Sequence, residues 1–279
     1  MKLILILMAL MAGSAYASKT ILVTAFDGFA GESVNWSYSV AKKIKSIESK
    51  IGSDVKIEIC QVQTIYDQGA AQAQKCFEAL KEKPVAVLSM GEGGCQVDLE
   101  TVAHNRDRTP NLKDNAGNLR AGSIIKPGRP MHVPLGFPID KIFCETNLTS
   151  AERNFAKPST SPGAFVCNNL AFHMAEYLKE KNVPYQFIHV PSHKCVNSKK
   201  TPLSEQQALS KSASLISKLL KTELVEIEKF SGYSSPLPVS LAPLRVEIER
   251  LKGSKHKFDQ CRRNFLNGLY DELIVGEKP

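Results

Sequence analysis

Short apolar runs at Thr20–Ala25, Val55–Val62, Val85–Met90 and Tyr185–Val190 constrain this chain's fold more than any other feature. Each has the length of a strand. Between the first and second runs, Val40, Ile44, Ile47 and Ile51 recur at helical spacing. Between the second and third, Ala73, Phe77 and Leu80 do the same. Strands that alternate with amphipathic helices predict a mostly parallel mixed sheet covered on both faces, a three-layer α/β/α sandwich.

Residues 1–17 read as a leader removed on export. Lys2 gives a short basic start, Leu3 to Ala12 an apolar run, and Ala15-Tyr16-Ala17 a small-x-small cleavage site. The run is too short for a stop-transfer helix, and no later stretch is long and apolar enough to cross a bilayer. The mature chain is therefore expected in the periplasm or outside the cell, without stable membrane insertion; an uncleaved anchor is the alternative.

The seven cysteines, Cys60, Cys76, Cys95, Cys144, Cys167, Cys195 and Cys261, all follow the leader. In an oxidising compartment an odd number leaves one thiol over, and the others can form up to three disulfides whose pairing the spacing does not reveal. Zinc competes for such residues, but no Cys-x-x-Cys or His-Glu-x-x-His occurs. The loose cluster His189, His193 and Cys195 lies beside Pro191 in a loop-like stretch, so neither metal nor cofactor is expected. A formal charge of +8 suits attraction to anionic surfaces or peptides. The densest basic stretch, Lys252-Gly253-Ser254-Lys255-His256-Lys257, lacks interleaved aromatics for base stacking, and nucleic-acid binding is not expected.

Chemistry enters at Phe165-Val166-Cys167-Asn168-Asn169-Leu170 and, further on, at Phe187-Ile188-His189-Val190-Pro191. Cys167 begins a run in which Leu170, Met174 and Leu178 keep helical spacing, so it is expected at a helix N-terminus. There the macrodipole and the free backbone N–H groups favour a thiolate and can hold an oxyanion. His189, at the end of a strand, is the candidate base, since a nucleophile and its base need only meet in space. A buried structural thiol beside a hydrogen-bonded core histidine is the competing reading.

Further segments extend this pattern: Phe26-Asp27-Gly28-Phe29, Met90-Gly91-Glu92-Gly93-Gly94, Glu100-Thr101-Val102-Ala103-His104-Asn105 and Asp114-Asn115-Ala116-Gly117-Asn118. In this order, together with the cysteine and histidine segments, they resemble the pyroglutamyl peptidase I family, cysteine peptidases that remove an N-terminal pyroglutamate from peptides. The resemblance runs from about Lys19 to about Val196, more loosely to the helix near Leu220.

It implies an α/β/α sandwich, a Cys-His-Glu triad of Cys167, His189 and Glu100, an acyl-enzyme, and peptide substrates with blocked N-termini. Phe26, Phe29, Thr64 and Val166 are implied as pocket walls around the lactam ring. Glu92 stands where many relatives have glutamine, and Thr101 where they have arginine. A carboxylate accepts but does not donate. Glu92 is therefore expected either protonated, mimicking the amide toward the lactam carbonyl, or paired with a basic group.

An amide hydrolase of different specificity and a non-catalytic peptide binder with Cys167 locked in a disulfide are the competing functions. Asn105 to Pro138 is rich in Pro, Gly and Asn and is expected to carry hairpins beside the cleft. The family core ends before the last segments, where Leu244, Ile248 and Leu251, then Cys261, Phe265 and Leu269, mark amphipathic helices. The expected division is a leader (1–17), a peptidase-like α/β domain (18–228) and a helical C-terminal extension docked on the core (229–279).

Overall fold

In the computed structural model, which describes residues 18–109, 111–195, 203–230 and 240–276, the first apolar run forms β1 (Lys19–Phe26). The expected leader lies outside the described residues, as does the Ser-, Gly- and Pro-rich stretch 231–238, whose composition reads as a linker. The chain continues through α1 (Trp36–Lys45), β2 (Val55–Val62), α2 (Gln68–Ala79), β3 (Ala86–Glu92) and β4 (Val97–Glu100). Then come β5 (Val102–His104), β6 (Arg106–Thr109), β7 (Arg120–Ile124), β8 (His132–Pro134), α3 (Ile139–Glu145), α4 (Ser150–Arg153) and β9 (Ala156–Ser159). It ends with α5 (Val166–Glu180), β10 (Tyr185–Val190), α6 (Glu205–Phe230), α7 (Leu241–Arg250) and α8 (Lys257–Gly276).

The main sheet has the order β2-β1-β3-β10-β4-β9. The first four strands are parallel; β4 pairs antiparallel with β10, and β9 parallel with β4. Alternation along β1 sorts the core. Ile21, Val23 and Ala25 join the side chains of α1, α3 and α6, whereas Leu22 and Phe26 join those of α2 and α5. Helices thus cover both faces, as the alternation of strands and helices predicts. The stretch after Asn105 holds the antiparallel pair β6 and β7, and its β8 pairs antiparallel with β5 just before it.

Helix α6 starts on a reciprocal cap, with Gln207 N–H donating to Ser204 Oγ at 3.3 Å and Ser204 N–H to Gln207 Oε1 at 2.8 Å. Helices α7 and α8 bury Leu244, Ile248, Leu251, Phe265, Leu266 and Leu269 in the same core as α1 and α6. Three disulfides tie the layers: Cys60–Cys76 joins β2 to α2, Cys95–Cys195 joins the β3–β4 turn to the turn after β10, and Cys144–Cys261 joins α3 to α8. Cys167 is the free cysteine.

Candidate active site

The first residues of α5 carry Cys167 one position inside the helix, after the cap residue Phe165. The first intrahelical bond near that end runs from Asn169 N–H to Phe165 O at 3.2 Å, so the N–H groups before it point out of the helix end. Two asparagines hold this end in place. Buried Asn168 accepts from His104 N–H at 2.8 Å and donates to the carbonyls of His104 and Arg106 at 2.8 and 3.0 Å. Asn169 accepts from Asp67 N–H at 2.9 Å and donates to the Asp67 and Asp107 carboxylates, each at 3.0 Å. The asparagines that follow the thiol therefore fix where it points.

His189 lies on β10 opposite Gly91 of β3. Its Nδ1 is 2.8 Å from Oε1 of Glu100, which is fully buried at the end of β4. The Cys167 thiol and the Cδ2 edge of the ring both approach Gly91, so the two groups lie side by side. Burial alone would lower the imidazolium pKa, but the interactions with Cys167 and Glu100 outweigh it and raise the pKa to about 10. Close packing here depends on glycine. A Cβ on Gly91 would lie 2.8 Å from Cys167 Sγ and 3.1 Å from His189 Cδ2.

Cys167 opens on a cavity of about 280 Å³ whose walls include Phe26, Phe29, Thr64, Glu92 and Val166, the expected pocket positions. Phe29 packs on Phe165 with ring centroids 5.1 Å apart, and Tyr66 meets Phe165 edge-on at 5.4 Å. The Thr64 hydroxyl is turned away from donation to a ligand, because it donates to Asp27 Oδ1 at 2.7 Å. Asn115 closes over the same turn, donating to Gly28 O at 2.8 Å. Leu112 completes the rim from the long excursion, which accordingly borders the cleft.

Glu92 takes the second of its two expected states. Its carboxylate accepts from Trp36 N–H at 3.1 Å, Ser192 Oγ at 2.7 Å, His193 N–H at 3.1 Å and His193 Nδ1 at 2.7 Å. Desolvation pushes its pKa up, but the donors from Ser192, Trp36 and His193 prevail and hold it below the usual carboxylate value. The protonated, amide-like group is therefore replaced by the paired one. Glu92 lines the cavity as an ionised anchor for the Ser192–His193 wall. The loose His189, His193 and Cys195 cluster is likewise dispersed, since Cys195 is in a disulfide and His193 binds Glu92. Among the described residues no group of His, Cys, Asp and Glu is arranged to hold a metal.

The family described as "Pyroglutamyl peptidase" matches this sequence over residues 19–216. The chain belongs to the pyroglutamyl peptidase family. It is 33% identical over 178 residues to the pyrrolidone-carboxylate peptidase of Brevibacillus brevis, covering 62% of this chain and 78% of that one. It is 37% identical over 177 residues to pyrrolidone-carboxylate peptidase 1 of Caldanaerobacter subterraneus, covering 61% and 81%.

The crystal structure of Bacillus amyloliquefaciens pyroglutamyl peptidase I superposes with a TM-score of 0.63 at 26% identity, covering 75% of this chain and 98% of that one. The pyrrolidone carboxyl peptidase of Thermococcus litoralis shares the fold, with a TM-score of 0.64 over 79% and 99% at 22% identity. Family membership makes this chain a cysteine peptidase of the pyroglutamyl peptidase I type.

Other residues of the site carry weaker signals in the sequence. Phe165 lines the cavity beside Val166, and a large aromatic next to a pocket wall is the signal for it. Asn168 and Asn169 directly follow the thiol, and paired amides in the first turn of a helix are a signal for backbone capture. Asp98, two residues before Glu100 on the same face of β4, is pushed up to about 6 by burial and by the Glu100 charge. Thr101 donates to Ser159 O at 3.0 Å, so it fastens β4 to β9.

Proposed function

We propose that this protein is an exported exopeptidase that removes an N-terminal pyroglutamyl group from peptides through Cys167, His189 and Glu100. The observation that carries the reading is the buried Glu100–His189 hydrogen bond, with Cys167 beside the same ring at Gly91 and lining the aromatic cavity. The thiolate attacks the carbonyl that links the pyroglutamyl ring to the next residue, forming a C–S bond. The helix-end N–H groups stabilise the oxyanion. His189 then passes its proton to the leaving amine as the C–N bond breaks, leaving a thioester. A water, deprotonated by His189, cleaves the thioester, which releases pyroglutamate and restores the thiolate–imidazolium pair. Glu100 keeps Nδ1 oriented and the imidazolium stabilised throughout. Phe26, Phe29 and Val166 would enclose the lactam ring, and Glu92 would hold the wall of the pocket.

Export is supported by the leader-like start and by the pairing of the six other cysteines into disulfides. Residues 18–228 would carry catalysis and 229–279 would form the docked extension. The test uses protein recovered from the export compartment, its disulfides intact and its mass starting at Ser18. This protein should hydrolyse a fluorogenic pyroglutamyl amide, and Cys167→Ala should abolish the activity. Oxidised wild-type protein inert toward pyroglutamyl amides would sink the reading.

A further inference from the structure

Helix α8 lies beyond the residues that match the family, yet its side chains reach the elements that carry the candidate triad. Glu272 on α8 accepts, through Oε2, the backbone N–H of Thr160 at 2.7 Å and the Thr160 hydroxyl at 3.2 Å. Thr160 is buried and opens the loop that runs from β9 to α5. Its carbonyl accepts from His104 Nε2 at 2.8 Å. His104 and Asn168 then exchange a pair of bonds, each 2.8 Å long: His104 N–H to Asn168 Oδ1, and Asn168 Nδ2 to His104 O. Asn168 is the residue after Cys167, so an unbroken hydrogen-bond path joins α8 to the nucleophile's turn.

A second branch reaches the other half of the site. Glu272 Oε1 is 3.6 Å from Lys157 Nζ, which is 3.7 Å from Asp98 Oδ1 on the face of β4 that bears Glu100. The end of β4 is tied to the same edge, because Ser159 O accepts both Thr101 N–H at 2.8 Å and Thr101 Oγ1 at 3.0 Å. The ion pairs are partly exposed and contribute little. The bonds from Thr160 to a carboxylate are charge-assisted and are the stronger link.

We propose that Glu272 is a positioning residue for catalysis, through which α8 fixes the loop before Cys167 against the strand that carries Glu100. The C-terminal extension on this view completes the active site rather than merely covering the core. The inference rests on the reading that Cys167, His189 and Glu100 form the catalytic set. A displacement well under 1 Å at the thiol is enough to matter, because the thiolate, imidazole and carboxylate must stay aligned.

The test compares Glu272→Ala, Glu272→Gln and Glu272→Asp with wild type in the folded, oxidised protein, and Asp271→Ala, exposed on the same helix, serves as control. Three quantities are read: the iodoacetamide alkylation rate of Cys167 by mass spectrometry, kcat and KM on a pyroglutamyl amide, and Tm. Glu272→Ala should slow alkylation and lower kcat by roughly tenfold, with KM changed by less than about twofold.

Gln keeps an acceptor for Thr160 and should restore both rates to within about threefold, a rescue that a purely electrostatic role would not give. Asp, one methylene short, should fall between, and it decides the matter if the alanine variant does not fold. Alkylation at the wild-type rate in folded Glu272→Ala, or in Glu272→Asp should the former not fold, overturns the inference. A wild-type protein inert toward pyroglutamyl amides would defeat the proposed function instead, and the alkylation rates would still decide on Glu272.

Discussion

Glu92 concentrates four donors on one partly buried carboxylate, and this reverses what replacing it should do. Glutamine, the residue many relatives carry here, would suit a pocket that needs an amide toward the lactam. In the structure a glutamine would offer one acceptor oxygen, and its NH₂ would face donors from Ser192 or His193. Glu92→Gln should therefore cost about 1–3 kcal/mol of stability and lower kcat/KM as the pocket wall loosens.

The pH dependence carries the sign of a depressed carboxyl. The Glu92 pKa is lowered in the folded state, so its contribution is complete above the ordinary value near 4.3. It is lost as the pH falls through the lower folded value. The gap in denaturation midpoint between wild type and Glu92→Gln should be full at pH 7 and shrink below about pH 4. Equal midpoints at pH 7 would remove the anchoring role.

At the scale of elements, β3 and β10 set the geometry of the candidate pair Cys167 and His189. The register places His189 beside Gly91, and the bare Cα of Gly91 leaves room for the imidazole and the thiol to meet. In Gly91→Ala the new methyl would press on Cys167 Sγ at 2.8 Å and on Phe187 Cζ at 3.1 Å. One of these groups must move, and the thiol is the free end. That variant should lose roughly 100-fold in kcat/KM while Tm changes by only a few degrees, measured by steady-state kinetics and thermal unfolding. Wild-type kinetics would show that the close packing is dispensable.

The parallel strands are legible because each of β1, β2, β3 and β10 carries a strand-length run rich in apolar residues. By contrast, β4 and β9 are not, since four-residue strands such as Val97-Asp98-Leu99-Glu100 carry too little pattern to stand out. That gap mattered for the site. The sequence suggested Glu100 as a triad member by resemblance, but only the antiparallel pairing of β4 with β10 brings it beside His189. The network through Thr160 and Glu272 was illegible for a plainer reason: its members are far apart in sequence and ordinary in type.

For the whole molecule, the cysteines distribute covalent ties over both faces of the sheet and the pocket rim. The sequence gives their number and the odd one out; the fold supplies the partners. Cys144–Cys261 closes a loop of 117 residues with a Cα–Cα distance of 5.7 Å, and Cys60–Cys76 closes one of 16. A cross-link over a longer loop removes more freedom from the unfolded chain, roughly 4–5 kcal/mol against about 3 in the chain-entropy account.

The longer tie also acts beside a buried ion pair, in which Arg262 Nε and Nη2 reach Asp140 Oδ2 at 2.9 and 2.8 Å. Together they fix the start of α8, and with it the approach of Glu272 to Thr160. Replacing Cys144 and Cys261 with serine should therefore lower Tm by more than the same change at Cys60 and Cys76. It should also expose the amides of α8 to faster hydrogen exchange and lower kcat in step with Glu272→Ala. The second effect separates a local clamp from general stability, because the Cys60–Cys76 pair lies on the α2 side of the sheet, far from Glu272 in the connectivity. Equal losses of kcat in the two double variants, at matched fractions folded, would mean that α8 contributes bulk stability and nothing particular to the active site.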